Sequence, residues 1–128
     1  MARGPLVAIV DDDESMRDTT KDLLESAGFS AVVFAGAADL LKFARLNEVS
    51  CLISDMRMPK MTGLELHLHL IASNRAIPTI LMTAYPDERK QAQAVQEKVL
   101  CYLTKPFAAE DLLAYVRLAT RSQRVDDG

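Results

Sequence analysis

Val7-Ala8-Ile9-Val10-Asp11-Asp12-Asp13-Glu14 decides the fold. Four apolar residues in a row, with no polar alternation, read as a strand buried on both faces, as in a parallel sheet. Four acidic residues end the run. Asp13 and Glu14 suit the cap and first turn of a helix. A helical pattern follows, with Met16, Thr20, Leu23, Leu24 and Ala27 on one face and Gly28 as the stop.

The same short apolar run recurs at intervals of roughly 20–25 residues, architecturally rather than as a sequence repeat. The others are Ala31-Val32-Val33-Phe34, Cys51-Leu52-Ile53-Ser54, Thr79-Ile80-Leu81-Met82 and Leu100-Cys101-Tyr102-Leu103. Between them lie three more apolar stripes: Leu40, Leu41 and Ala44; Leu64, Leu68 and Ile71; Leu112, Tyr115, Val116 and Ala119. The stretch from Pro86 to Lys98 has good helix propensity but few large apolar anchors, so it is the expected least stable element. Alternating strands and helices predict an α/β fold around a central parallel sheet. Right-handed crossovers then gather the C-terminal strand ends along one edge, where such folds bind ligands.

Composition agrees. The chain has 128 residues, the size of one domain, and 49% are hydrophobic. Asp+Glu 18 against Lys+Arg 15 gives a net charge of -3, which offers no basic excess for nucleic acid. No apolar run is long enough to span a bilayer, and Met1-Ala2-Arg3-Gly4-Pro5 does not open a secretion signal. A single cytosolic domain over 1–128 is expected, with a core of about 6–121 and a polar tail over 122–128. Cys51 and Cys101 read as buried thiols, not a metal pair. His67 and His69, two apart, read as helix-surface residues on different faces.

The strand ends carry the chemistry. The first ends in Asp11-Asp12, the third in Asp55, the fourth in Thr83 and the fifth in Lys105-Pro106. Carboxylates gathered in a partly buried site either take up a proton or bind a cation. Hard oxygen ligands suit Mg²⁺. A lysine and a threonine hydroxyl beside them suit a phosphoryl group, so the set fits phosphoryl transfer. After Asp55, the Pro59 and Gly63 spacing demands a specific loop.

With these features the chain resembles the receiver domain of two-component response regulators from about Leu6 to Arg121. The resemblance rests on Asp11-Asp12 after Ile9-Val10, Ser54-Asp55-Met56-Arg57-Met58-Pro59 with Gly63, Met82-Thr83-Ala84, and Lys105-Pro106-Phe107. It looks most like the FixJ-type subgroup. The resemblance implies a flavodoxin-like five-stranded sheet in the order 2-1-3-4-5. It makes Asp55 the phosphoacceptor for a histidine kinase, a phosphotransfer protein or acetyl phosphate. Asp12, Asp55 and the backbone carbonyl of Arg57 would ligate Mg²⁺ (with Mn²⁺ as a substitute), and Asp11 would act through water. Lys105 and Thr83 would hold phosphoryl oxygens. Tyr102 would be the switch aromatic, turning inward when Thr83 moves. Phosphorylation would reset the surface of helix four, strand five and helix five for a protein partner or a second copy. Turnover catalysis, membrane association and direct nucleic-acid binding are not expected.

Two departures stand out. Gln96-Glu97-Lys98-Val99 has no glycine before strand five, so a left-handed turn there would cost about 1 kcal/mol. Tyr85 is bulky for its place after Thr83, and with Arg57 it is expected to cover the acyl phosphate and slow water attack. Three rivals remain open: a receiver fragment of a longer DNA-binding regulator, a haloacid-dehalogenase-type phosphatase with Asp11 as nucleophile, and a pseudo-receiver acting only by protein contact.

Overall fold

The structure, a computed structural model, describes residues 4–127, with side chains to residue 121. Its elements run β1 (Leu6–Val10), α1 (Glu14–Ser26), β2 (Ser30–Phe34), α2 (Ala37–Leu41), a 3₁₀ turn (Leu46–Glu48), β3 (Val49–Asp55), α3 (Gly63–Ala72), β4 (Thr79–Thr83), α4 (Glu88–Gln96), β5 (Cys101–Thr104) and α5 (Ala109–Asp127). The five strands form one parallel sheet in the order β2-β1-β3-β4-β5. The expected fold class and strand order are found.

Strand side chains alternate between two cores. Val7, Ile9, Ile53 and Ile80 pack with Leu24 of α1 and with Leu112 and Val116 of α5. Ala8, Val10 and Leu52 pack with Leu40 of α2 and with Leu66 and Leu70 of α3. This is why the central strands read as unbroken apolar runs. The edge strands differ from that expectation: β2 is half-buried throughout and β5 nearly so, because each has one neighbour in the sheet.

Local chemistry sets the helix starts. Asp13 caps α1, accepting from the amides of Ser15 (3.0 Å) and Met16 (3.3 Å). Asp87 caps α4 in the same way. Thr62 and Glu65 form a reciprocal capping box at α3. Gly28 takes φ 97° at the exit of α1, as a stop glycine does.

Several expectations about faces are corrected. Helix α2 ends at Leu41, so Ala44 lies outside it and is exposed. Helix α3 buries Leu64, Leu66, His67 and Leu70, while Leu68 is half-buried and Ile71 exposed. Its apolar residues nearly encircle it, so periodicity alone does not choose the inner face. Tyr115 of α5 sits at the solvent margin. Helix α5 runs to Asp127, and no proline or glycine interrupts residues 109–127. Lys98 adopts φ 65°, so the left-handed turn falls on a residue with a side chain. His67 is buried, not on the surface.

Cys51 is fully buried in β3, and burial pushes its thiol up to about 12. Cys101 is half-buried in β5, its thiol also raised by burial. Among the described residues no helix is long and apolar enough to cross a membrane.

Candidate functional site

Register builds the site. Val10 of β1 pairs with Ser54 of β3, so the next residues, Asp11 and Asp55, fall side by side at the sheet's C-terminal edge. Asp55 pairs with Met82, and Thr83 follows it. Thr83 pairs with Thr104, and Lys105 comes next, its amide donating to the Thr83 carbonyl at 2.7 Å.

The side chains converge. One carboxylate oxygen each from Asp11, Asp12 and Asp55 lies within 4.8 Å of the others. Asp11 and Asp55 are buried and Asp12 is exposed. The ammonium of Lys105 stands 3.3 Å from Asp11 Oδ2 and 3.3 Å from Asp55 Oδ1. Burial raises the Asp55 pKa and Asp11 adds to the rise, while Lys105 opposes it. Burial by itself would lower the Lys105 pKa, but Asp11 and Asp55 together leave it raised. The outcome is a carboxylate poised for neutralisation beside a firmly held cation. Three hard-oxygen ligands at this spacing, one facing water, fit Mg²⁺ or Mn²⁺.

Backbone contacts keep Asp55 in place. The Met56 amide donates to the Met82 carbonyl at 2.7 Å, and the Gly63 amide to the Met56 carbonyl at 3.1 Å. Ser54 Oγ donates to the Asp55 carbonyl at 3.0 Å. A Cβ at residue 63 would stand 2.6 Å from the Asp55 carbonyl oxygen, which explains why the helix begins with glycine.

Thr83 is buried, and its hydroxyl accepts from the Tyr85 amide at 3.0 Å. The Arg57 guanidinium lies over the Tyr85 ring, 4.8 Å from its centroid. Arg57, Thr83 and Tyr85 line a shallow cavity of about 290 Å³ with Met56 and Asp87. Tyr102 lies apart from the carboxylates, packed with Met56, Leu64, Leu81 and Ala94. Its hydroxyl is enclosed and makes no close hydrogen bond among the described residues, although the Asp87 backbone lies near it, and burial raises its pKa. The ring is therefore packed inward while the Thr83 hydroxyl is still engaged by Tyr85.

Sequence reasoning missed Arg17. Its Nη1 donates to the Asp11 carbonyl at 2.8 Å, bracing the acidic loop from α1. The available signal was a cation one turn into the helix that follows three aspartates.

This rim places an aspartate beside an acidic pair, a lysine and a threonine on a parallel α/β sheet, an arrangement suited to accepting a phosphoryl group. The model of the response regulator receiver domain matches residues 7–117. The chain belongs to that family, the receiver domains of two-component signalling. It is 35% identical over 125 residues to the C4-dicarboxylate transport transcriptional regulatory protein DctD of Rhizobium meliloti, covering 98% of this chain and 27% of that protein. It is 33% identical over 115 residues to the transcriptional regulatory protein FixJ of Bradyrhizobium diazoefficiens, covering 90% of this chain and 56% of that one. The solved structure of the response regulator StyR superposes with a TM-score of 0.87 at 35% identity, covering 97% of this chain and 64% of that chain. The chain thus spans between about a quarter and about half of the curated relatives it matches.

Proposed function

We propose that Asp55 is the phosphoacceptor of a cytoplasmic signalling switch. What carries this is the position of Lys105, 3.3 Å from both Asp11 and Asp55, within a cluster of three carboxylates. A carboxylate oxygen of Asp55 attacks the phosphorus of a phosphohistidine. The P–N bond breaks, the imidazole leaves with the electron pair, and a mixed anhydride forms on Asp55. Asp12, Asp55 and the Arg57 carbonyl, with Asp11 acting through water, would hold Mg²⁺, which would supply charge neutralisation. Lys105 then pairs with a phosphoryl oxygen. The Thr83 hydroxyl turns from the Tyr85 amide to donate to another, which draws the loop after β4 inward. Arg57 and Tyr85, stacked at the mouth, screen the anhydride from water.

The new charge at one rim biases the α4–β5–α5 surface. Tyr102 reports that change, because its enclosed hydroxyl lies beside the backbone of Asp87, the cap of α4. A histidine kinase or phosphotransfer protein is the donor. The output is a downstream protein partner, a second copy, or further domains of a longer regulator such as those of DctD and FixJ. The domain transfers a group to itself and does not turn over a substrate.

Intact-mass measurement after acetyl phosphate and Mg²⁺ tests this directly. Wild type acquires one phosphoryl adduct and Asp55→Asn acquires none. An adduct that survives in Asp55→Asn points instead to Asp11 and a phosphatase-like chemistry. No Mg²⁺ binding at millimolar concentration points to a pseudo-receiver.

A further inference from the structure

Helix α4 is held at one end. Residues 84–93, from the loop after β4 through the first six residues of α4, are exposed without a break. Burial starts at Ala94, which packs with Met56, Leu64 and Leu81. The exit is closed by the Lys98 amide on the Val95 carbonyl and the Val99 amide on the Ala94 carbonyl, each at 3.0 Å. The Leu100 amide then reaches the Thr79 carbonyl at 2.8 Å.

At that same end the buried ring of His67 arrives from α3. Its Nε2 lies 2.9 Å from the carbonyl oxygen of Glu97, the cap of α4. Its Nδ1 lies 2.9 Å from Thr79 Oγ1, at the start of β4. A carbonyl can only accept, so Nε2 carries the hydrogen. Nδ1 then accepts, so it competes with the Ile77 carbonyl, 2.8 Å away, for the single hydrogen of the Thr79 hydroxyl. The Nε2 contact is a side-chain hydrogen bond from α3 to the C-terminal cap of α4. A leucine would fill the same volume, so the imidazole adds direction rather than burial. The phosphoryl-transfer chemistry makes no use of it.

We propose that His67 is the pivot of α4, a positioning residue that pins the helix's C-terminal end to β4. The exposed N-terminal part, next to Thr83 and Tyr85, is then free to swing when the site gains charge. This rests on the phosphoacceptor role of Asp55 for its trigger, but not for its anchoring. Displacement grows along α4 from Glu97 towards Glu88, so the presented face tilts rather than translates.

Amide hydrogen exchange on the full chain tests it, with and without acetyl phosphate plus Mg²⁺, in wild type, His67→Leu and His67→Gln. In wild type, acetyl phosphate changes exchange across residues 84–91 and leaves Val99 and Leu100 as they were. In His67→Leu without acetyl phosphate, exchange at Lys98, Val99 and Leu100 rises about tenfold, the loss of one hydrogen bond, while α1 and α5 keep their protection. His67→Gln retains a donor for the Glu97 carbonyl and restores most of the protection. If His67→Leu does not fold, Thr79→Val, which removes the hydroxyl facing Nδ1 and the Ile77 carbonyl but keeps the Nε2 bond to Glu97, raises exchange at the same amides by a smaller factor. The pivot is overturned if these amides exchange as in wild type, or if Val99 and Leu100 respond to acetyl phosphate as strongly as residues 84–91. A missing phosphoryl adduct, read separately by mass, counts against the phosphoacceptor role, and the comparison without acetyl phosphate still decides the anchoring.

Discussion

The ammonium of Lys105, just past β5, lies 3.3 Å from Oδ1 of Asp55 at the end of β3, so the pair bridges across the end of β4. The same ammonium is 3.3 Å from Asp11, so one cation serves two buried carboxylates. Lys105 is thus a resident counter-ion in the metal-free protein. A lysine whose folded pKa is raised contributes stability that is complete below its unfolded value and is lost only as pH climbs through the folded one. At neutral pH that contribution is fully present. Lys105→Met is expected to destabilise the metal-free protein by about 1–3 kcal/mol, measured by urea unfolding. The same variant binds Mg²⁺ more tightly in calorimetry, because a competing cation is gone.

Asp55 titrates with the same sign over a lower pH range. Its folded pKa is raised, chiefly by burial, so the folded protein holds the proton more tightly than the unfolded chain does. The stability it contributes is present below the ordinary carboxylate range and declines as pH rises from about 4 through its raised value. Asp55→Asn is expected to flatten that decline and to stabilise the metal-free protein at pH 7. Mg²⁺ at ten times its dissociation constant then stabilises wild type by about 1.4 kcal/mol, and the variant by less. Thermal unfolding at several pH values, with and without Mg²⁺, reads both effects.

Gly63 makes a steric prediction. An alanine there would bring its Cβ to 2.6 Å from the Asp55 carbonyl oxygen and 2.8 Å from a Leu81 methyl. The carbonyl belongs to Asp55, the proposed acceptor, so relief must move the site. Gly63→Ala is expected to cost about 1–3 kcal/mol of stability, as overpacking does. It also lowers the yield of the phosphoryl adduct. A variant with full stability and full yield would show that the loop relaxes without disturbing Asp55.

Tyr85 is exposed, so its removal leaves stability almost unchanged. Its stack with Arg57 is of a kind worth about 0.5–1 kcal/mol at an exposed site, so Tyr85→Ala is expected to speed loss of the phosphoryl group about two- to fivefold. A mass-resolved time course after removal of acetyl phosphate measures the rate. Equal lifetimes in the two proteins would remove any shielding role.

The strands were legible because a parallel sheet covered on both sides demands unbroken apolar runs, and Val7 to Val10 and Cys51 to Ser54 supply them. The convergence of Asp11, Asp55, Thr83 and Lys105 followed from strand order and polarity alone. Helix faces were harder to read. In α3, Leu64, Leu66, Leu68, Leu70 and Ile71 lie on nearly every side, and the sheet rather than periodicity picks out Leu66 and Leu70. His67 was misplaced because its burial depends on partners 12 and 30 residues away, Thr79 and Glu97, which no local pattern announces. Arg17 was overlooked because its partner is the backbone carbonyl of Asp11 rather than one of the aspartate side chains.

The two sulfurs have unequal access, and this has a practical consequence. Cys51 lies sealed in the middle of the sheet with its thiol pushed up to about 12, while Cys101 is only half-covered on the outer strand β5. An alkylating dye applied under mildly alkaline conditions therefore attaches at one place in the native chain. That place borders Tyr102 and Tyr115 of α5, so a fluorophore can follow the proposed switch face without any engineered substitution.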